Sequence, residues 1–392
     1  METADAVVVG GGVMGTSIAF NLARRRFGRV ILLEQNAVCS GTSAKSSAIV
    51  RTHYTTPTTA AMALRARRIF EHWAEEVGGD CGFVKTGMLF IAPGASRETV
   101  ERTLAMNRGL GIEASLVCPD EVRSLSPHLR LPDDAVVVWE PRSGYGSPHE
   151  VATSFARRFT ELGGDLRQST PATGIEIRGG RVRTVRTPRG DIATAHVVIA
   201  AGPWADRVGR LAGLELPVVA SRESVITLRP GRNFDFSPRH PVTADLVNEV
   251  YLRPETGNLV LLANTRDTLA PGDPDHYEDR PDPDHVTDLV SRLARLMPAA
   301  ADAQITGGWS GMYEVSPDWN PIMGTVPTVA GLHYAVGYSG HGFKLSPIVG
   351  VLMAEQIAEG RARTIDISPY RLERFAEGQT LRPAYAGAGV IG

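Results

Sequence analysis

The residues with the clearest chemistry stand at the start of the chain. A β-branched run, Ala6-Val7-Val8-Val9, feeds into Gly10-Gly11-Gly12-Val13-Met14-Gly15, and a second apolar run, Val30-Ile31-Leu32-Leu33, ends in Glu34. Glycines at this spacing between a strand and a helix suit a dinucleotide pyrophosphate. Gly10 permits a tight turn, Gly12 lets backbone approach the phosphates, and Gly15 lets the helix lie close on the strand. The helix N-terminus then presents unpaired N–H groups to the anion. Glu34, about 20 residues past the glycines, is placed for a ribose hydroxyl. The elements that must position these groups are two parallel strands joined by a helix.

Other chemistries lack their residues. His53, His149 and His341 are not at metal-ligand spacing with one another or with carboxylates, and HExxH and Gly-x-Ser-x-Gly are missing, which speaks against a metal site and against acyl transfer. Cys39, Cys81 and Cys118 form an odd, widely spaced set without a CxxC pair, predicting buried free thiols in a reducing compartment. With 41 basic and 43 acidic residues the net charge is -2, which predicts no nucleic-acid partner. No apolar run is long enough to span a bilayer, and the first strand starts almost at Met1 with no room for a cleaved signal peptide. These features predict a soluble cytoplasmic protein without a membrane span.

The 392 residues allow two domains. Apolar spacing through Met62, Leu64, Ile69, Phe70 and Trp73 predicts a helix over 58–78, ended by Gly78-Gly79. Residues 82–92 read as two short strands joined by a turn, and the composition turns mostly β there. Pro148 opens a helix to about Leu162, and 175–182 reads as a hairpin. The run 195–205 predicts a buried parallel strand beside the first one, with its tip near the cofactor. Strands over 222–229, 248–253 and 258–263, a helix around 284–296, a strand over 332–338 and a helix from Gly342 to about Glu359 complete the pattern. The expected division is a nucleotide-binding domain from 1–80, 148–215 and 325–392 (the last with a C-terminal tail), and a substrate domain from 81–147 and 216–324.

Three blocks carry a family resemblance. They are the fingerprint with Glu34, the segment Gly41 to Arg51, and the C-terminal stretches Gly308-Trp309-Ser310-Gly311-Met312-Tyr313, Pro317-Asp318-Trp319-Asn320-Pro321 and Gly337-Tyr338-Ser339-Gly340-His341-Gly342-Phe343-Lys344. With them nearly the whole chain resembles the glycine/D-amino-acid oxidase (DAO) superfamily of FAD enzymes, in the branch of the sarcosine oxidases and dimethylglycine dehydrogenases. The resemblance implies an α/β (α+β) fold like that of the glutathione-reductase-like flavoproteins: a Rossmann-like FAD-binding domain and a mixed β-sheet substrate-binding domain. It implies FAD contacts at Gly10, Gly12, Val13, Met14, Gly15, Glu34, Gln35, Ser43, Lys45, Ser46, Ser47, Ala172, Ala201, Gly202, Trp204, Gly311, Met312, Gly340, His341, Gly342, Phe343 and Lys344. The helix opening near Phe343 would point its positive end at the flavin pyrimidine, where reduced flavin carries negative charge. Arg51 and Lys344 match cations that bind the substrate carboxylate, an arginine fork fixing which C–H faces the flavin. Tyr251 and Tyr313 match tyrosines that wall the substrate cavity.

The chain also departs from that pattern. Gly311 stands where the monomeric sarcosine oxidases attach flavin to a cysteine, so the resemblance implies FAD held without that covalent link. Their oxygen-activating lysine aligns with Val260 and a site histidine with Asn264, which favours a dehydrogenase, or an oxidase using Lys45 or His53 as its cation. The implied activity is FAD-dependent oxidation of a CH–NH or CH–NH2 group of an amino acid or N-methyl amino acid, sarcosine-like, to an imine, by hydride transfer to flavin N5, with O2 or another electron acceptor. Two alternatives stand beside it. One is a biosynthetic flavin oxidase of a cyclic or carrier-bound amine. The other is the β-type subunit of a heteromeric sarcosine oxidase or opine dehydrogenase, which would need a partner subunit.

Overall fold

In a computed structural model that describes residues 1–231, 236, 239–381 and 384–385, the chain builds two eight-stranded sheets. The far end of the expected C-terminal tail, 386–392, lies outside the described residues. The first strand, Glu2–Val9, pairs in parallel with Val30–Leu33 on one side and Ile192–Ile199 on the other. The 195–205 run is therefore the neighbour expected of it. Leu332–Val336 adds in parallel and Ile322–Thr325 antiparallel beyond it, so the boundary expected after 324 falls inside a strand of this sheet.

The period of two decides what each face buries. Ala6, Val8 and Leu32 pack with Ile18 and Leu22 of the fingerprint helix (Val13–Arg24), Phe155 and Phe159 of the helix Pro148–Glu161, and Val349 and Leu352 of the C-terminal helix (Gly342–Glu359). Val7, Val9, Ile31 and Leu33 face the other way, onto Ile175, Val182 and Val185 of the hairpin formed by Gly174–Arg178 and Arg181–Arg186. The fingerprint and C-terminal helices touch at Gly350, where a Cβ would stand 2.1 Å from Ser17 Oγ. Pro347 lacks the N–H that would serve the Phe343 carbonyl, and Ser346 Oγ bonds that oxygen instead at 2.9 Å.

The second sheet runs Gln304–Val315, Val219–Arg229, Leu259–Asn264, Val250–Glu255, Val242–Asp245, Met88–Ala92, Val136–Glu140, Ser115–Leu116. It is antiparallel except where Val242–Asp245 meets Met88–Ala92. One face buries Ile226, Leu228, Leu252, Val260 and Leu262 against Leu289, Leu293 and Leu296 of the helix Pro283–Leu296. That helix starts where its sequence says: Asp282 accepts the Asp284 N–H at 2.8 Å and proline fills the first turn. The opposite face, with Phe90, Val225, Tyr251, Leu261 and Ala263, turns toward the first sheet's cleft.

Two expected elements differ. Residues 82–92 are not a hairpin: only Met88–Ala92 is a strand, while Gly82 and Gly87 take positive φ and Val84 makes one bridge to Tyr145. The helix over 58–78 is interrupted at His72, giving Pro57–Glu71 and Trp73–Glu76.

Candidate active site

The fingerprint folds into a tight cradle. Gly10 has φ +117°, its N–H donates to the Leu33 carbonyl at 2.8 Å, and a Cβ there would lie 2.3 Å from the Ala200 oxygen. A Cβ on Gly15 would lie 1.8 Å from the Gly10 oxygen. Gly15 therefore lets the helix settle on the turn and does not itself line the cleft. The helix begins at the N-cap Gly12 with no side-chain cap and no acid in its first turn, and its Val13 N–H reaches Ser43 Oγ at 3.1 Å. A helix start of this kind fits the diphosphate of a dinucleotide. Glu34 accepts the N–H groups of Gly11 and Asn36, both at 2.7 Å, and so stands fixed at the cleft edge.

One cleft runs from this cradle to the inner face of the second sheet. Gly10, Gly12, Val13, Met14, Glu34, Gln35, Ser43, Lys45, Ser46, Ser47, Ala172, Ala201, Gly202, Trp204, Gly311, Met312, Gly340, Gly342 and Phe343 all line it, drawn from both ends and the middle of the chain. A Cβ on Gly311 would fall 2.7 Å from Lys45 Cβ, so the absence of a side chain there admits Lys45 to the wall. Lys45 Nζ pairs with Asp279. His341 does not line the cleft: it is the N-cap residue of the C-terminal helix, buried, with Nδ1 3.1 Å from the Tyr54 hydroxyl.

At the far end Tyr251 and Tyr313 both line the cleft, and the Tyr251 side chain hydrogen-bonds Ser47 and Tyr313. Burial pushes both phenols up, so both remain neutral proton donors. Gly340, at φ +86°, brings backbone against the Tyr313 ring, where a Cβ would meet Cε2 at 2.8 Å.

Arg51 and Lys344 lie near enough for the arginine charge to act on the lysine, but neither lines the cleft. The Arg51 guanidinium lies over the Tyr54 ring at 4.2 Å and donates to the His53 carbonyl. Lys344 Nζ reaches the Gly340 oxygen at 3.3 Å. Burial, then the Arg51 charge, push the Lys344 ammonium well below its usual range. A buried pair of like charges of this kind is suited to an anion placed between them.

Sequence reasoning missed two acids on this cleft, Glu223 and Glu314. Burial pushes the first up to about 8, with a contribution from Asp267, and the second up to about 7. In sequence each is a charged residue in an alternating strand, the usual mark of a solvent-facing position; only the pairing of the strands shows otherwise. The candidate oxygen-activating positions are also corrected. Val260 packs against the helix Pro283–Leu296, away from the cleft, while Asn264 does line it. His53 is off the cleft, with Nε2 2.9 Å from the Tyr385 hydroxyl, and burial with Arg51 pushes it down to about 3, so it carries no charge at neutral pH. Cys39 and Cys81 are buried and their thiols pushed up to about 12, but Cys118 is exposed, unlike the expectation. None of the three lines the cleft.

Among the described residues, no helix is long and apolar enough to cross a membrane. The family model described as FAD dependent oxidoreductase, DAO, matches residues 5–356. The sarcosine oxidase subunit beta of Arthrobacter sp is 28% identical over 388 residues, covering 96% of this chain and 92% of that protein. The glycine oxidase of Geobacillus kaustophilus is 29% identical over 379 residues, 94% of this chain and 97% of that one. Among solved structures, L-proline dehydrogenase from P. horikoshii superposes with a TM-score of 0.89 at 25% identity, covering 97% of this chain and 100% of the other. Glycine oxidase from Geobacillus kaustophilus gives 0.81 at 27%, covering 95% and 99%. A cradle, an uncapped helix start and a matching family model over most of the length converge on one cofactor, and the chain belongs to the DAO family of FAD dependent oxidoreductases.

Proposed function

We propose that this chain oxidises the C–N bond of a small amino acid or N-methyl amino acid to an imine, in the space between the FAD cleft and the inner face of the second sheet. The observation that carries the reading is the buried Arg51 and Lys344 pair, whose lysine bonds the carbonyl of Gly340, the residue that lies against the Tyr313 ring on the cleft wall. When bound, FAD supplies the two-electron acceptor. The protein's part is orientation. Arg51 and Lys344 hold the substrate carboxylate, which favours the charged form of Lys344; the tyrosine hydroxyls close the opposite wall; water then hydrolyses the imine.

From the strand Leu259–Asn264 the uncharged Ala263 and Asn264 line the cleft, His53 is neutral, and Lys45 is paired with Asp279. These observations favour a dehydrogenase that reacts slowly with oxygen, since neither the position aligned with the oxygen-activating lysine nor His53 supplies a cation to stabilise incipient superoxide. The two sheets serve in this reading as the cores of the two expected domains. The name of the Arthrobacter relative supports a partner subunit as the second arrangement, to be checked by the size of the purified yellow protein in solution. The reaction is tested by trapping the carbonyl product with a hydrazine after incubation with sarcosine, proline, glycine or other amino acids and an artificial electron acceptor. A trapped carbonyl in proportion to acceptor reduced supports the reading, and acceptor reduction by a non-amine alone overturns it.

A further inference from the structure

Glu223 has no role in the reaction as described, yet its position calls for one. The strands Val219–Arg229 and Gln304–Val315 pair with Ser221 opposite Tyr313, Glu223 opposite Gly311 and Val225 opposite Trp309. Val225 in turn stands opposite Ala263, and Ala263 opposite Tyr251. By the alternation of a strand, Tyr251, Glu223 and Tyr313 share one face, and all three line the cleft. Gly311 offers no side chain to cover the carboxyl from across the ladder. Glu223 Oε1 is buried with no hydrogen-bond partner. A buried carboxyl oxygen left unpaired is costly unless a ligand supplies the donor.

Resting on the amine-oxidising reading, we infer that Glu223 is the proton acceptor for the substrate nitrogen. A substrate ammonium bound between the tyrosines gives one N–H proton to the Glu223 carboxylate. The N–H bond breaks, an O–H bond forms, the nitrogen keeps its electron pair and the carboxyl becomes neutral; no electrons leave the substrate in this step. The neutral amine is the form from which hydride departs. The groups around Glu223 agree with such a role: Tyr251 and Tyr313 stay neutral, Asp267 adds a negative charge that favours the protonated acid, and Lys45, across Gly311, is engaged by Asp279. Burial also sets the carboxyl to change charge at about 8, within the working range of a base.

The test is the pH profile of kcat/KM for wild type and Glu223→Gln with the best amine found, together with the affinity for propionate, a carboxylate without nitrogen. Wild type is expected to rise about tenfold per pH unit below an inflection near 8, as one essential base of the free enzyme requires. In Glu223→Gln that inflection disappears and kcat/KM at high pH falls by about 10²- to 10⁴-fold, while propionate binding stays unchanged. Glu223→Asp restores the inflection at a reduced rate. A wild-type profile with no inflection between pH 7 and 9 overturns the inference without any variant, as does an inflection that survives in Glu223→Gln. If wild type oxidises no amine at all, the amine reading fails too; if it does and Glu223→Gln matches it, only the role of Glu223 is refuted.

Discussion

Replacing Lys344 by methionine should move stability and binding in opposite directions. The Lys344 side chain is buried near Arg51, and its Nζ donates to the Gly340 oxygen at 3.3 Å. Methionine has a similar length and removes both the desolvation of the ammonium and its repulsion by Arg51. Losing the bond to Gly340 costs about 0.5–1.5 kcal/mol. Replacing a buried charge by an apolar side chain of like volume returns about 1–4 kcal/mol. The net expectation is a stabilised protein, with Tm raised by a few degrees.

The sign with pH follows from linkage. A folded-state pKa below that of the unfolded chain means the unfolded state binds more protons, so the Lys344 penalty is greatest at low pH and fades as pH rises toward the lysine's ordinary range. The stabilisation in Lys344→Met should shrink over the same window. Binding goes the other way: one charge-assisted bond to a carboxylate is worth about 1.5–3 kcal/mol, so propionate should bind about 10- to 150-fold more weakly. Because a bound carboxylate favours the charged lysine, any proton uptake on propionate binding should be larger in wild type than in the variant. Thermal unfolding and a titration followed by flavin absorbance in weakly buffered indicator measure both. A lower Tm combined with unchanged propionate affinity would mean that Lys344 neither strains the fold nor holds the carboxylate.

Further expectations follow from the cradle and the core. Gly15→Ala puts a methyl 1.8 Å from the Gly10 oxygen, so the helix must lift; we expect a loss of about 1–3 kcal/mol and weaker FAD retention, read by released-flavin fluorescence. Asp318 forms a buried bidentate pair with Arg374 at 2.8 and 2.9 Å and also accepts the Leu381 N–H at 3.0 Å, so Asp318→Ala should cost about 3–5 kcal/mol in denaturant unfolding, with partial recovery when Arg374→Met is added. Glu223 has its folded-state pKa raised, so its contribution to stability is present at low pH and lost as pH rises toward about 8; Glu223→Gln should therefore stabilise the protein more at pH 9 than at pH 5, by calorimetry at both.

The parts legible in the sequence are those with local causes. Gly10, Gly12 and Gly15 each answer one steric demand, and the β-branched runs at 6–9 and 195–199 pair as their composition asks. What escaped was set by pairing between distant segments. Gly82 and Gly87 bend a stretch whose residues read as strand, and His72 breaks a periodic helix where Trp73 turns into the core beside Phe70 and Phe155. Val260 faces the helix Pro283–Leu296 while Ala263 shares the cleft face with Tyr251, which only the register between their strands decides. Glu223 and Glu314 look like surface acids until the second sheet is assembled. The block around Asp318, one of the stretches that carry the family resemblance, anchors the segment reaching Leu381, with Asp318 holding both Arg374 and the Leu381 N–H.

In the proposed reaction this FAD enzyme takes a hydride from a carbon beside an amine nitrogen. The most direct measurement is anaerobic bleaching of the yellow protein by sarcosine, dimethylglycine, proline, glycine and D- and L-amino acids, repeated with the effective amine deuterated at the reacting carbon. At least one carboxylate-bearing amine is expected to bleach the flavin, more slowly with deuterium, with slow recolouring when air is admitted. Bleaching that depends on no amine, or that ignores deuterium at every C–N carbon, would contradict it.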